Sequence, residues 1–182
     1  MPLSSDLLLE TTAPTSSPVL RTALLCGTVA GLLCIGWVLF LYLTDNNPYG
    51  PKRTLSDFFP PIAAVVSQIL LRRYYAEGPG LGKAVGVGVL VTVLTALLAA
   101  TGLYLFARTA DASLIEQHLA EARQLLENAK SLYMAQTNGR QQFEATLRNL
   151  AHTPAAFAQD EFLKKMLLGI LISIPGGIFL RK

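Results

Sequence analysis

Few residues in this chain have the type and spacing to carry chemistry. His118 and His152 are the only histidines, fewer than a typical zinc site uses. Glu121 lies one helical turn from His118 and could join both histidines across a helical hairpin. The plainer reading is two solvated histidines on helices. No HExxH, CxxC or GxSxG pattern occurs, and no carboxylate pair suits acid–base work. The glycine-rich stretch GPGLGKAVGVG, residues 78–88, lacks the spacing of a phosphate-binding loop. It also has Ala84 where a Ser or Thr would follow the lysine. Cys26 and Cys34 stand on one helical stretch about 12 Å apart along its axis, outside disulfide reach. Gln68, Thr92, Thr95 and Thr101 are polar residues inside apolar runs, each able to hydrogen-bond within its helix or to a neighbour. No ionisable residue falls at mid-depth of those runs, where ion carriers usually place one. These readings predict no enzyme, no cofactor and no metal.

The elements that must position these residues are membrane helices. Of 182 residues, 52% are hydrophobic and only 15% charged, against roughly 25% charged in soluble domains. The net charge of +3 could suggest nucleic acid, but that requires Lys and Arg gathered on one soluble face. Here they mark helix ends, so no nucleic acid is expected. Four apolar stretches read as spans, at about 22–44, 55–73, 83–107 and 162–180. The first exceeds a signal-peptide core and runs into TDNNPYG, so it is expected to be retained. The second is short, with Asp57 near its start and Pro60-Pro61 in its first turns, and fits either a span or a re-entrant segment. The fourth carries Lys164 and Lys165 in its first turn, where they can snorkel, and Pro175 predicts a bend. Residues 1–18 read as a flexible tail, and 19–182 as one membrane domain.

Between the third and fourth spans a polar stretch, about 111–154, has a pattern of its own. Ser113 and Glu116 fit a capping box. Ile115, Leu119, Ala122, Leu126, Ala129 and Tyr133 recur at spacings of four and three, the seam of an amphipathic helix. Asn138-Gly139 supplies a turn, and Phe143, Leu147 and Leu150 form a shorter stripe. The simplest object is a helical hairpin outside the membrane whose stripes face each other. Its contact candidates are Ile115, Leu119, Leu126 and Tyr133. Gly27 with Gly31, and Gly82 with Gly86, form GxxxG pairs that bring two helices close, within one bundle or between copies. The fold class expected is all-α: an integral four-helix membrane bundle with an extramembrane helical hairpin between spans 3 and 4.

Four crossings put both termini on one side with Arg21, Arg72, Arg73 and Lys83, which a narrow positive-inside count places in the cytoplasm. The order of elements resembles bacterial membrane proteins of domain of unknown function family 4199. The likeness is carried by the Asn47–Gly50 loop, LRRYYAEGPGLGKAVGVG at 71–88, ARTADASLIEQHLAEARQLLENAK at 107–130 and the terminal GILISIPGGIFLRK. It implies an inner-membrane location with a periplasmic hairpin, and it supplies no activity or site residues. The function expected is therefore a non-enzymatic assembly or interaction protein acting through the hairpin. Its partners would be the lipid bilayer and a protein or a second copy; a small transporter or channel subunit is the alternative.

Overall fold

A computed structural model of the chain describes residues 17–181. Among them are six α-helices and one 3₁₀ segment. The tail expected at 1–18 falls outside the described residues up to position 16. Ser17 and Pro18 already belong to helix α1, Pro18–Leu43, which Ser17 caps by accepting from the Leu20 amide at 3.4 Å. The 3₁₀ segment Pro51–Phe58 leads directly into α2, Phe59–Arg72. Helix α3 spans Gly80–Thr109, α4 Ala112–Met134, α5 Gly139–Arg148 and α6 Pro154–Phe179.

Among the described residues, four helical stretches are long and apolar enough to cross a bilayer: Pro18–Leu43, Pro51–Arg72, Gly80–Thr109 and Pro154–Phe179. The second reaches 22 residues only because the 3₁₀ segment extends α2, whose 14 residues give about 21 Å. The fourth starts eight residues before the expected position 162, because Thr153 caps it through the Ala156 amide at 3.2 Å. Side-chain polarity runs opposite to that of a soluble protein. Leu32, Leu33, Leu167 and Leu171 are exposed, while Gln68, Thr92, Thr95 and Ser173 are fully buried. Lipid explains this distribution, since apolar surface costs nothing there and polar groups need partners inside.

Helix α3 packs against α1, α2 and α6, and α2 also meets α1 and α6. Small residues set the distances. A Cβ on Gly27 would lie 2.8 Å from Leu94 and one on Gly31 2.7 Å from Leu98, so α1 and α3 close over this pair. A Cβ on Gly82 or Gly86 would meet nothing within 4 Å among the described residues. The Thr95 hydroxyl donates to the Gly27 carbonyl at 3.3 Å across the same interface. Helix α6 runs through Pro175, whose missing N–H leaves the Leu171 carbonyl without its usual helical donor.

Helices α4 and α5 form a hairpin closed by Asn138, which takes a positive φ of 62°. Asp111, not Ser113, caps α4, its carboxylate accepting from the Ser113 amide at 3.0 Å. The hairpin arms are unequal: 23 residues against 10, about 35 Å against 15 Å. Helix α5 therefore covers only the far part of α4, where Tyr133 meets Phe143 edge-on at 5.7 Å.

Gly31→Val forces the Leu98 side chain aside and is expected to cost about 1–3 kcal/mol through overpacking. Gly36→Val, which meets open space, should leave thermal unfolding in detergent near the wild-type midpoint. Equal midpoints for both variants would refute the close α1–α3 approach.

Candidate functional site

Lys165 stands on α6 in a row of buried residues four apart: Phe157, Glu161, Lys165, Gly169, Ser173 and Gly177. That repeat keeps one face turned inward along the whole helix. Lys165 lies about 16 Å along the axis from the start of α6. It is fully buried and does not snorkel. Each of its three N–H bonds has an acceptor: Asp57 Oδ1 at 3.0 Å, Glu161 Oε1 at 2.9 Å and Ser56 Oγ at 2.9 Å. The expectation that Lys165 snorkels from its helix is thereby corrected. Pairing makes the burial tolerable, because an unpaired charge there would neutralise or drag in water.

Arg53 extends the cluster outward. Its Nη2 meets Asp160 Oδ2 at 3.0 Å and its Nε lies 3.5 Å from Glu161 Oε2. Lys164, half-exposed, pairs with Asp160 at 2.7 Å and is the lysine that reaches the surface. Three cations (Arg53, Lys164, Lys165) thus face three carboxylates (Asp57, Asp160, Glu161). The balance is neutral, which suits a low-dielectric site. The 3₁₀ turn is what aims Arg53, Ser56 and Asp57 together at α6, and Ser56 closes it by donating to the Arg53 carbonyl at 2.9 Å. Cys34 touches the cluster from α1, its thiol 3.8 Å from the Ser56 carbonyl.

Above the cluster the base of the hairpin is seated in aromatic rings. Tyr49 stacks on Phe157 at 4.5 Å, and His118 meets both rings edge-on at 5.9 and 5.5 Å. Asn47 donates to Glu121 Oε2 at 2.7 Å and lies 3.3 Å from His118 Nδ1. Ile115, one of the predicted stripe residues, packs against the buried cluster that contains Tyr49, Leu103 and Phe157. Leu119 and Leu126 are half-buried along the arm, and Tyr133 lies at the far end. A cavity of about 230 Å³ separates this base from the charged cluster, with Arg53, Asp57, His118, Glu121 and Lys164 on its walls. His152 is exposed, its Nδ1 3.0 Å from the Leu150 carbonyl. Among the described residues no three metal-ligating side chains converge.

Deeper in the packed helices, Gln68 donates from Nε2 to the Ser173 carbonyl at 2.8 Å, and Thr92 to the Gly88 carbonyl at 2.9 Å. Thr101 is exposed. Of the polar residues noted in the sequence, Gln68 and Thr95 thus bond across helix–helix contacts, while Thr92 bonds within α3. Sequence reasoning missed the Arg53–Asp57–Glu161–Lys165 cluster. Two signals were present: Glu161 and Lys165 one turn apart, and the four-residue repeat on α6.

These features define an all-helical membrane protein with a neutral charge cluster inside its spanning helices and a helical hairpin seated above it. The chain belongs to the family described as Protein of unknown function (DUF4199), whose profile matches residues 25–182. Neither a curated protein nor a solved structure matches it.

Lys165→Met leaves Asp57 and Glu161 buried without their cation and should destabilise the protein by about 3–5 kcal/mol. Asp57→Asn keeps the Lys165–Glu161 pair and should cost clearly less; the reverse order in detergent unfolding would refute the assignment. Desolvation, with a smaller push from Arg53, lowers the His118 pKa below its ordinary 6.5, against the opposing pull of Glu121. Below 6.5 the unfolded chain takes up a proton that the folded one resists, so stability should fall as pH drops through that window. His118→Phe should flatten this part of the pH profile, and an unchanged slope would exclude His118 as its source.

Proposed function

We propose that this protein is a non-enzymatic assembly or interaction protein of the bacterial inner membrane. In this reading a four-helix membrane bundle presents the α4–α5 hairpin outside the bilayer to a protein partner. The observation that carries it is the way the hairpin is attached. Its first turns are seated on Tyr49, Asn47 and Phe157, whereas helix α4 has no buried residue along its length. Leu125, Leu132 and Met134 stay exposed on its outer part. A rigid base with an open amphipathic arm suits recognition by another protein more than catalysis.

With the termini and the Arg72–Lys83 loop in the cytoplasm, the hairpin faces the periplasm. The transporter alternative draws on Lys165 and Gln68 within the spanning helices. Close packing weighs against it: a Cβ on Gly169 would sit 2.3 Å from Thr92, and one on Gly176 would sit 2.4 Å from Gln68.

Native mass spectrometry of the protein taken from its own membrane in lipid particles tests the assignment. A defined partner is expected with the wild type, and the double variant Leu125→Glu, Leu132→Glu should lose it while thermal unfolding stays unchanged. A partner retained by that variant, or after removal of residues 111–154, would refute a hairpin contact.

A further inference from the structure

From the end of the molecule away from the hairpin, a groove with two chemically different halves runs between α1 and α2. The outer half, about 420 Å³, is lined by Arg21, Thr22, Leu70, Arg73 and Tyr74. The inner half, about 370 Å³, is lined by side chains such as Val29, Leu33, Ile62 and Val66, with the small residues Ala30 and Ala63 making room. Leu25 borders both halves, so the two adjoin in a channel along α1. From Arg21 to Leu33 the channel follows α1 for about 18 Å, slightly more than one leaflet of a hydrocarbon core about 30 Å thick.

We infer that this groove is a binding site for one anionic glycerophospholipid, its phosphate held by Arg21 and Arg73 and one acyl chain lying along Leu25, Val29, Ile62 and Val66. Charge complementarity selects this occupant. Arg21 and Arg73 are both exposed, and neither forms an ion pair among the described residues. Two guanidinium groups at one helix–helix cleft offer forked donors that match phosphate oxygens, and basic clefts between spanning helices commonly receive acidic headgroups. Tyr74 adds a phenol at the same level. A free phosphate would satisfy the arginines and leave the apolar half unused. A neutral lipid would fill the apolar half and bring no net charge to the arginines. The site is separate from the hairpin and stands or falls independently of any protein partner.

The test uses the full chain in vesicles of phosphatidylcholine and phosphatidylglycerol in equal parts, with lipids retained after detergent extraction counted by native mass spectrometry. One phosphatidylglycerol per chain should persist in preference to phosphatidylcholine. Arg21→Gln with Arg73→Gln should lower its retention about tenfold, a change of about 1.4 kcal/mol. Ala63→Phe should lower retention while sparing both arginines. The control Arg72→Gln, outside the groove, should not. Equal retention of the two lipids would mean annular lipid only and overturn the inference. So would a loss in the Arg72 control matching that of the groove pair, or displacement of the lipid by inorganic phosphate alone. Unchanged emission from Trp37, the single tryptophan, checks that each variant is folded; if Ala63→Phe fails that check, the arginine pair still decides.

Discussion

Three N–H bonds of the Lys165 ammonium, beside the ion pairs of Arg53, tie together parts of the chain that lie far apart in sequence. One acceptor, Glu161, lies a turn away on the same helix, but Asp57 and Ser56 come from a segment more than a hundred positions earlier. Inside a spanning helix an ammonium must be paired or lose its proton, so the 3₁₀ segment has to bring its carboxylate to α6. That requirement sets the rotation of α6. Once Lys165 faces inward, the four-residue repeat carries Gly169, Ser173 and Gly177 onto the same face. The small residues of that face then allow α3 and α2 to approach closely.

The same constraint reaches outward. Arg53 can occupy its buried place only because Asp160 and Glu161 meet it from α6. The loop before the 3₁₀ segment is thereby held where Tyr49 stacks on Phe157 and Asn47 reaches Glu121. The base of the hairpin rests on these groups, so its direction follows from ion pairs lying beneath it. Beyond that base little holds α4 except the short arm α5. One molecule thus combines a tightly determined interior with an arm whose apolar side chains remain open.

At the opposite end the polar demands are lighter, and a groove lies between α1 and α2. The result is a cleft that is basic at its mouth and apolar below, bordered by Leu25 throughout. The two ends therefore differ in kind: one is closed by internal neutralisation, while the other exposes cations that find no partner within the described chain.

Much of the architecture was legible in the sequence because a helix in lipid must satisfy its backbone locally, so about twenty apolar residues announce a span without knowledge of its neighbours. The spans near 22–44 and 83–107 and the polar stretch with its Asn138-Gly139 turn could be read for that reason. The weak second span was ambiguous because a 3₁₀ segment with Arg53 and Asp57 supplies part of its length. The charge cluster was not legible. Glu161 and Lys165 in a first turn look the same whether they snorkel or turn inward, and the difference lies in the rotation of α6 about its axis. Nor could the stripe on α4 reveal that Ile115 leans on the cluster around Phe157 while Tyr133 meets Phe143. Sequence by itself determined which segments are long and apolar enough to cross a membrane and where the polar arm lies, since those depend on local hydrophobicity and length. Only the tertiary structure decided which charges neutralise one another, because that depends on side chains meeting from helices far apart in the chain.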